Sequence, residues 1–96
     1  MVARKNSENG LVLVITDSEI IGKVFTEKKM QLDLSKPFYQ GTLKEKEKLK
    51  QQIPTAYVLH FTGVQAVTFG VELDLIDPQK ILTVQKVPHA EVIITS

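Results

Sequence analysis

The apolar positions of this chain fall into short runs whose spacing separates extended from helical segments. LVLVI, residues 11–15, is uninterrupted and rich in β-branched side chains, the pattern of a central strand covered on both faces. Thr16 with Glu19 three residues later forms a capping-box pattern, and Gly22 offers a left-handed stop, so about one helical turn is expected over 17–21. Met30, Leu32 and Leu34 then alternate with Gln31, Asp33 and Ser35, which predicts a half-buried strand paired with KVF through a turn at 26–28. Pro37 and Gly41 end that extended stretch. A second capping box, Thr42 with Glu45, opens TLKEKEKLKQQ, whose apolar positions Leu43, Leu49 and Ile53 are sparse, so a mostly exposed helix is predicted. Pro54 interrupts it, and TAYVLHF is expected to carry a second, largely apolar helix to Gly63. A third capping box, Thr62 with Gln65, opens a helix over 64–76 with Val64, Val67, Val71 and Leu75 on one face, and Ala66, Phe69, Leu73 and Ile76 beside them. After Asp77-Pro78 come two strands, KILTVQK and AEVIITS, separated by a Val87-Pro88-His89 step. Residues 1–9 are polar with little to bury and are expected to be a flexible lead, or else the approach to a short first strand. Strands at both ends with helices between them predict an α+β (mixed α/β) fold: a small single-domain sheet over residues 10–96 with two to three helices packed on it.

Composition narrows the functional classes. The 96 residues, 43% hydrophobic, suit one modest core and leave no room for a cleft between domains. The formal charge is +1, but it is unevenly spread: residues 1–50 hold ten basic and seven acidic groups, residues 51–96 two and four. Arg4 is the only arginine. With no cysteine, disulfides, thiolate zinc sites and thiol nucleophiles are excluded. The polar start MVARKNSENG and the five-residue apolar run after it match neither a signal-peptide core nor a membrane span, so a soluble cytoplasmic protein is expected.

Candidate chemistry is thin. The serines at 7, 18, 35 and 96 lack a nucleophile-elbow setting, and the glycines at 10, 22, 41, 63 and 70 are too scattered to cradle a phosphate. Glu72 and Asp74 point to different sides of a helix. Two histidines without a His-x-x-x-His spacing give no metal site, and no cofactor is implied. His60, in an apolar helical context, is read as a partly buried, hydrogen-bonded side chain. His89 is read as a hinge between the last two strands, with a ligand or partner contact as the alternative. The remaining signal is basic. Lys44, Lys46, Lys48 and Lys50 alternate with Glu45 and Glu47, giving both stabilising Glu–Lys pairs and like-charged i,i+4 neighbours that a phosphate backbone would relieve. Arg4, Lys5, Lys28, Lys29 and Lys36 can enlarge that patch, with Phe38 and Tyr39 as aromatic surface beside it.

The order of SEIIGKVF, FYQG, TG-x-QAV-x-FG-x-ELDLID and IL-x-x-x-KVPHA resembles a small archaeal family known as domain of unknown function 424, over residues 11–94. The matching positions are Gly22, Lys23, Phe38, Tyr39, Gly41, Gly70, Glu72, Pro88, His89 and Ala90. The lysine-rich helix departs from the family pattern, which is more acidic there. The resemblance implies a stand-alone archaeal cytoplasmic protein with an α/β fold and no established enzymatic activity. Three readings follow. The first is a non-catalytic accessory protein of the archaeal translation machinery, associated with the small ribosomal subunit through ribosomal RNA and ribosomal proteins. The second is a small-molecule-binding protein or enzyme with a site at Pro88-His89, partnered by Lys23 and Tyr39. The third is a protein-interaction module presenting Phe38 and Tyr39.

Overall fold

The computed structural model of the chain describes residues 1–43 and 45–94. Its fold is α+β. Strands β1 (Val2–Ser7), β2 (Gly10–Thr16), β5 (Ala56–Thr62), β6 (Leu82–Val84) and β7 (Val87–Ile93) form a mixed sheet in the order β1-β2-β5-β7-β6. Strands β3 (Val24–Glu27) and β4 (Met30–Asp33) form a separate hairpin. Among the described residues only β2 and β5 run parallel; the other pairs are antiparallel.

The parallel pair is where burial is deepest, because a strand flanked on both edges and covered on both faces has every side chain to hide. Leu13, Val14, Leu59 and Phe61 are completely buried. Leu13, Ile15, Leu59 and Phe61 face α1 (Lys46–Gln52) and α2 (Val64–Glu72), where Leu49, Ala66, Val67 and Phe69 close the main core with Ile53 and Ile76. The opposite sheet face packs against the β3–β4 hairpin and a 3₁₀ turn at Pro37–Tyr39, forming a second cluster of Leu32, Leu34 and Val84 with Tyr39 and Val87 around it. The hairpin is tied to the sheet at its far end, where the Thr26 amide donates to Gln85 Oε1 at 3.0 Å.

Several local expectations are corrected. Residues 2–7 of the anticipated flexible lead are the edge strand β1, held along its length by β2 and bridged to Thr42 through Val2. TAYVLHF is not a helix but β5, because it is the segment that β2 and β7 both need as a partner. The helix expected from residue 42 begins at Lys46. Its N-cap is Glu45 without a side-chain bond, since Thr42 is drawn into the bridge to Val2. Lys44 lies outside the described residues.

The helix expected over 64–76 ends at Glu72. Asp74 takes a left-handed conformation (φ 59°), and the amides of Asp74 and Leu75 donate to the carbonyls of Val71 and Gly70, the double bond that ends a helix in a Schellman stop. Its other end is not capped by Thr62. Asp17, delivered by the end of β2, is buried against it and accepts from the amides of Gln65 (3.0 Å) and Ala66 (2.7 Å). Gly63, at φ 106°, allows this approach, since a Cβ there would meet the Asp17 carboxylate.

The hinge assigned to His89 is also corrected. The turn between the last two strands is Gln85-Lys86, both with positive φ, and Pro88 and His89 belong to β7. The β5–β7 ladder begins at Thr62 and His89, so Pro88 stands just beyond it, where its missing N–H is not called on and its carbonyl accepts from the Gly63 amide at 2.8 Å.

Candidate functional site

Two surfaces hold most of the residues singled out by the sequence. The first is the free edge of β1. Arg4 and Lys5 lie on that strand, and Lys5 Nζ donates to the Pro37 carbonyl at 3.4 Å, which brings Lys36 alongside. On the other side the chain runs from the Val2–Thr42 bridge into α1, where Lys46 shares a depression with Val2 and sets its ammonium 5.8 Å from the centre of the Phe69 ring. Lys48 and Lys50 are exposed further along α1, and Lys50 pairs with Glu47 at 3.5 Å. Lys28 and Lys29 are not part of this surface: they form the tip of the β3–β4 hairpin, beside the Gln85 turn next to β6, the strand at the opposite edge of the sheet.

The second surface is a cleft of about 310 Å³ between the sheet and the hairpin side of the molecule, lined by Tyr39, His60, His89, Lys80, Leu32 and Leu82 among others. Register builds its floor. His60 faces Glu91, and Thr62 faces His89, across β5 and β7, so all four rise from the same side of the sheet. The 3₁₀ turn builds one wall: Pro37 fixes the first φ, the Tyr39 amide donates to the Lys36 carbonyl, and the two aromatic rings that follow pack edge-to-face 5.1 Å apart. The Phe38 ring also meets His60 edge-to-face at 5.3 Å. The aromatic pair thus packs on itself and on His60, while Phe38 stays 36% exposed. Lys23 does not join them; its backbone is engaged with Ile20 and Leu34 and its side chain is exposed elsewhere.

The electrostatics of the cleft are set by burial. Partial burial pushes the Tyr39 phenol above its ordinary value, and the negative charge of Asp33 adds to this, so Tyr39 stays a protonated donor at neutral pH. Burial lowers the His89 imidazole, and the neighbouring His60 lowers it further, so His89 is neutral at pH 7 with one donor and one acceptor nitrogen. Glu91 Oε2 stands 3.7 Å from His60 Nδ1, a half-solvated pair that orients the ring more than it stabilises the fold. Among the described residues no group of three or more His, Cys, Asp or Glu gathers in a metal-binding arrangement. None of the described helices is long and apolar enough to cross a membrane.

His60 is the functional candidate that the sequence pattern undervalued. The apolar–polar–apolar alternation Leu59-His60-Phe61 carries the strand signal that sends its ring to the opposite face from the main core.

No curated protein sequence matches the chain. In fold it is similar to the crystal structure of an uncharacterized conserved protein from Methanopyrus kandleri, with a TM-score of 0.80, 20% identity, and coverage of 100% of this chain and 93% of that one. That level of identity speaks for the fold alone. A family model described as "Protein of unknown function (DUF424)" matches residues 5–94, and on that match the chain belongs to the DUF424 family.

Proposed function

We propose that this protein is a non-catalytic accessory protein of the archaeal translation machinery, associating with the small ribosomal subunit through ribosomal RNA. The observation that supports this reading is the basic edge. Arg4 and Lys5 on β1 are flanked by Lys36 on one side and Lys46 on the other, and Lys48 and Lys50 continue the surface along α1. Beyond the Val2–Thr42 bridge, a strand edge dressed with cations keeps other strands away, and it offers a row of donors and charges to a phosphate backbone. Such contacts read RNA shape and charge, with no demand for base recognition.

The patch of this proposal is smaller than the sequence outlined, because Lys28 and Lys29 stand at the other side of the sheet. Native lysate fractionated on a sucrose gradient tests the reading. Co-migration with the small subunit that is lost at high salt and after RNase is the expected result. Recovery only in the light fractions under all conditions would overturn it.

A further inference from the structure

We propose that the cleft between Tyr39, His60 and His89 is a binding site for a small organic anion, a carboxylate or a phosphate monoester carried on a compact apolar body. It is separate from the basic edge and does not rest on the RNA reading.

Donors outnumber acceptors in the cleft. Lys80 lines the cleft, and among the described residues its ammonium has no carboxylate partner. The Tyr39 hydroxyl and the His89 ring likewise have no hydrogen-bond partner among the described residues, although both are partly buried. The one carboxylate in the lining, Glu91, is turned to His60 at 3.7 Å. Three donors therefore line one cleft with no acceptor paired to them among the described residues, and an oxyanion seated there would accept from them. Apolar walls complete the site. Leu32 is buried at one side, and Leu82 stands 55% exposed at the other, surface that the body of a ligand would cover. A volume of about 310 Å³ lies at the small end of the range of pockets that hold organic ligands.

Binding is coupled to a proton. The groups facing His89 are His60, Glu91, Lys80 and Tyr39, with Asp33 near the phenol. Burial and His60 keep the free His89 ring neutral, and an anion seated against it favours the imidazolium, so affinity rises as pH falls.

The test is a titration of the full chain at constant ionic strength, following the Cε1–Hε1 NMR signals of both histidines, with benzoate, phenyl phosphate, inorganic phosphate and benzylamine as probes. Saturable shifts of His60 and His89 by benzoate or phenyl phosphate are expected, and whichever of the two binds more tightly identifies the anion class. Benzoate should bind more tightly at pH 6 than at pH 8. Lys80→Ala, at an exposed position, should weaken the preferred anion by about tenfold, the loss of one charge-assisted contact. No saturable shift, equal binding of benzylamine, or an affinity untouched by both Lys80→Ala and His89→Asn would overturn the proposal. Inorganic phosphate binding as tightly as phenyl phosphate would overturn the apolar part of it.

Discussion

His60 and His89 occupy diagonal positions on neighbouring antiparallel strands, with His60 opposite Glu91 and His89 opposite Thr62, so both rings stand on one side of the sheet within each other's field. Two neighbouring imidazoles cannot both be charged without cost, and the His89 ring is held below the ordinary 6.5 first by burial and then by His60. In the unfolded chain that restraint is gone. Below pH 6.5 the unfolded state therefore binds more protons than the folded state, and stability is lost as pH falls through that window. Melting temperatures measured from pH 8 downward should hold steady above the window and decline within it, and His89→Asn should flatten the decline. An equal decline in the variant would contradict this assignment.

Asp17 holds the N-terminus of α2 from a distance of 48 residues in sequence to Gln65, and its effect should be large for a cap because the Ala66 amide is buried. Asp17→Ala should cost about 2 kcal/mol, combining a lost cap with an unsatisfied buried donor. Gly63→Ala should cost a similar amount by another route, since its φ of 106° is strained for alanine and the new methyl meets the Asp17 carboxylate. Urea denaturation of both variants and the double variant measures this. Losses that simply add would show that the two residues do not act on one cap.

The glycines of the family-like motifs separate by what surrounds them. A Cβ on Gly41 would collide with the Val2 carbonyl and the Ala3 Cα, backbone atoms that cannot step aside without breaking the β1 edge. Gly22 has φ 88° with open space around it. Gly22→Ala should therefore cost about 1 kcal/mol, a conformational penalty alone, whereas Gly41→Ala should cost about 3 kcal/mol or more. Comparable losses in the two variants would rule out the steric account.

The β6–β7 turn offers a stabilising change. Gln85 and Lys86 both sit at positive φ, the geometry that two-residue hairpins normally fill with Asn-Gly. Lys86→Gly should raise stability by about 1 kcal/mol by relieving that strain, while leaving Gln85 free to accept from Thr26. A loss of stability on thermal unfolding would show that the turn is not strained at Lys86.

Much of this fold is legible in the sequence where the pattern is strong. The unbroken LVLVI run, the alternation of Met30, Leu32 and Leu34, and the buried stripe of Ala66, Val67 and Phe69 each mark their element, although Met30 and Val64 prove largely exposed. β5 escapes because a seven-residue, mostly apolar run after a proline fits a buried helix or a buried strand equally well, and only its position between β2 and β7 decides. β1 escapes because an edge strand buries little: Val2 and Ala3 are covered, while Arg4 and Asn6 remain exposed. The cap on α2 is invisible to local patterns, since Thr62 supplies the expected signature and Asp17 does the capping. The cleft shares that non-local origin. Tyr39, His60 and His89 lie far apart in sequence and meet only through β5–β7 register and the 3₁₀ turn at Pro37.

The basic edge is tested most directly by the salt dependence of binding to small-subunit ribosomal RNA, measured for the wild-type chain, an Arg4→Ala/Lys5→Ala/Lys46→Ala variant, and a Lys28→Ala/Lys29→Ala variant. Each phosphate contact removed should lower the slope of log affinity against log salt by about 1. The edge variant should lose about 3 from that slope and the hairpin variant nothing. Equal slopes for all three proteins, or a loss confined to the hairpin variant, would contradict the placement of RNA on β1.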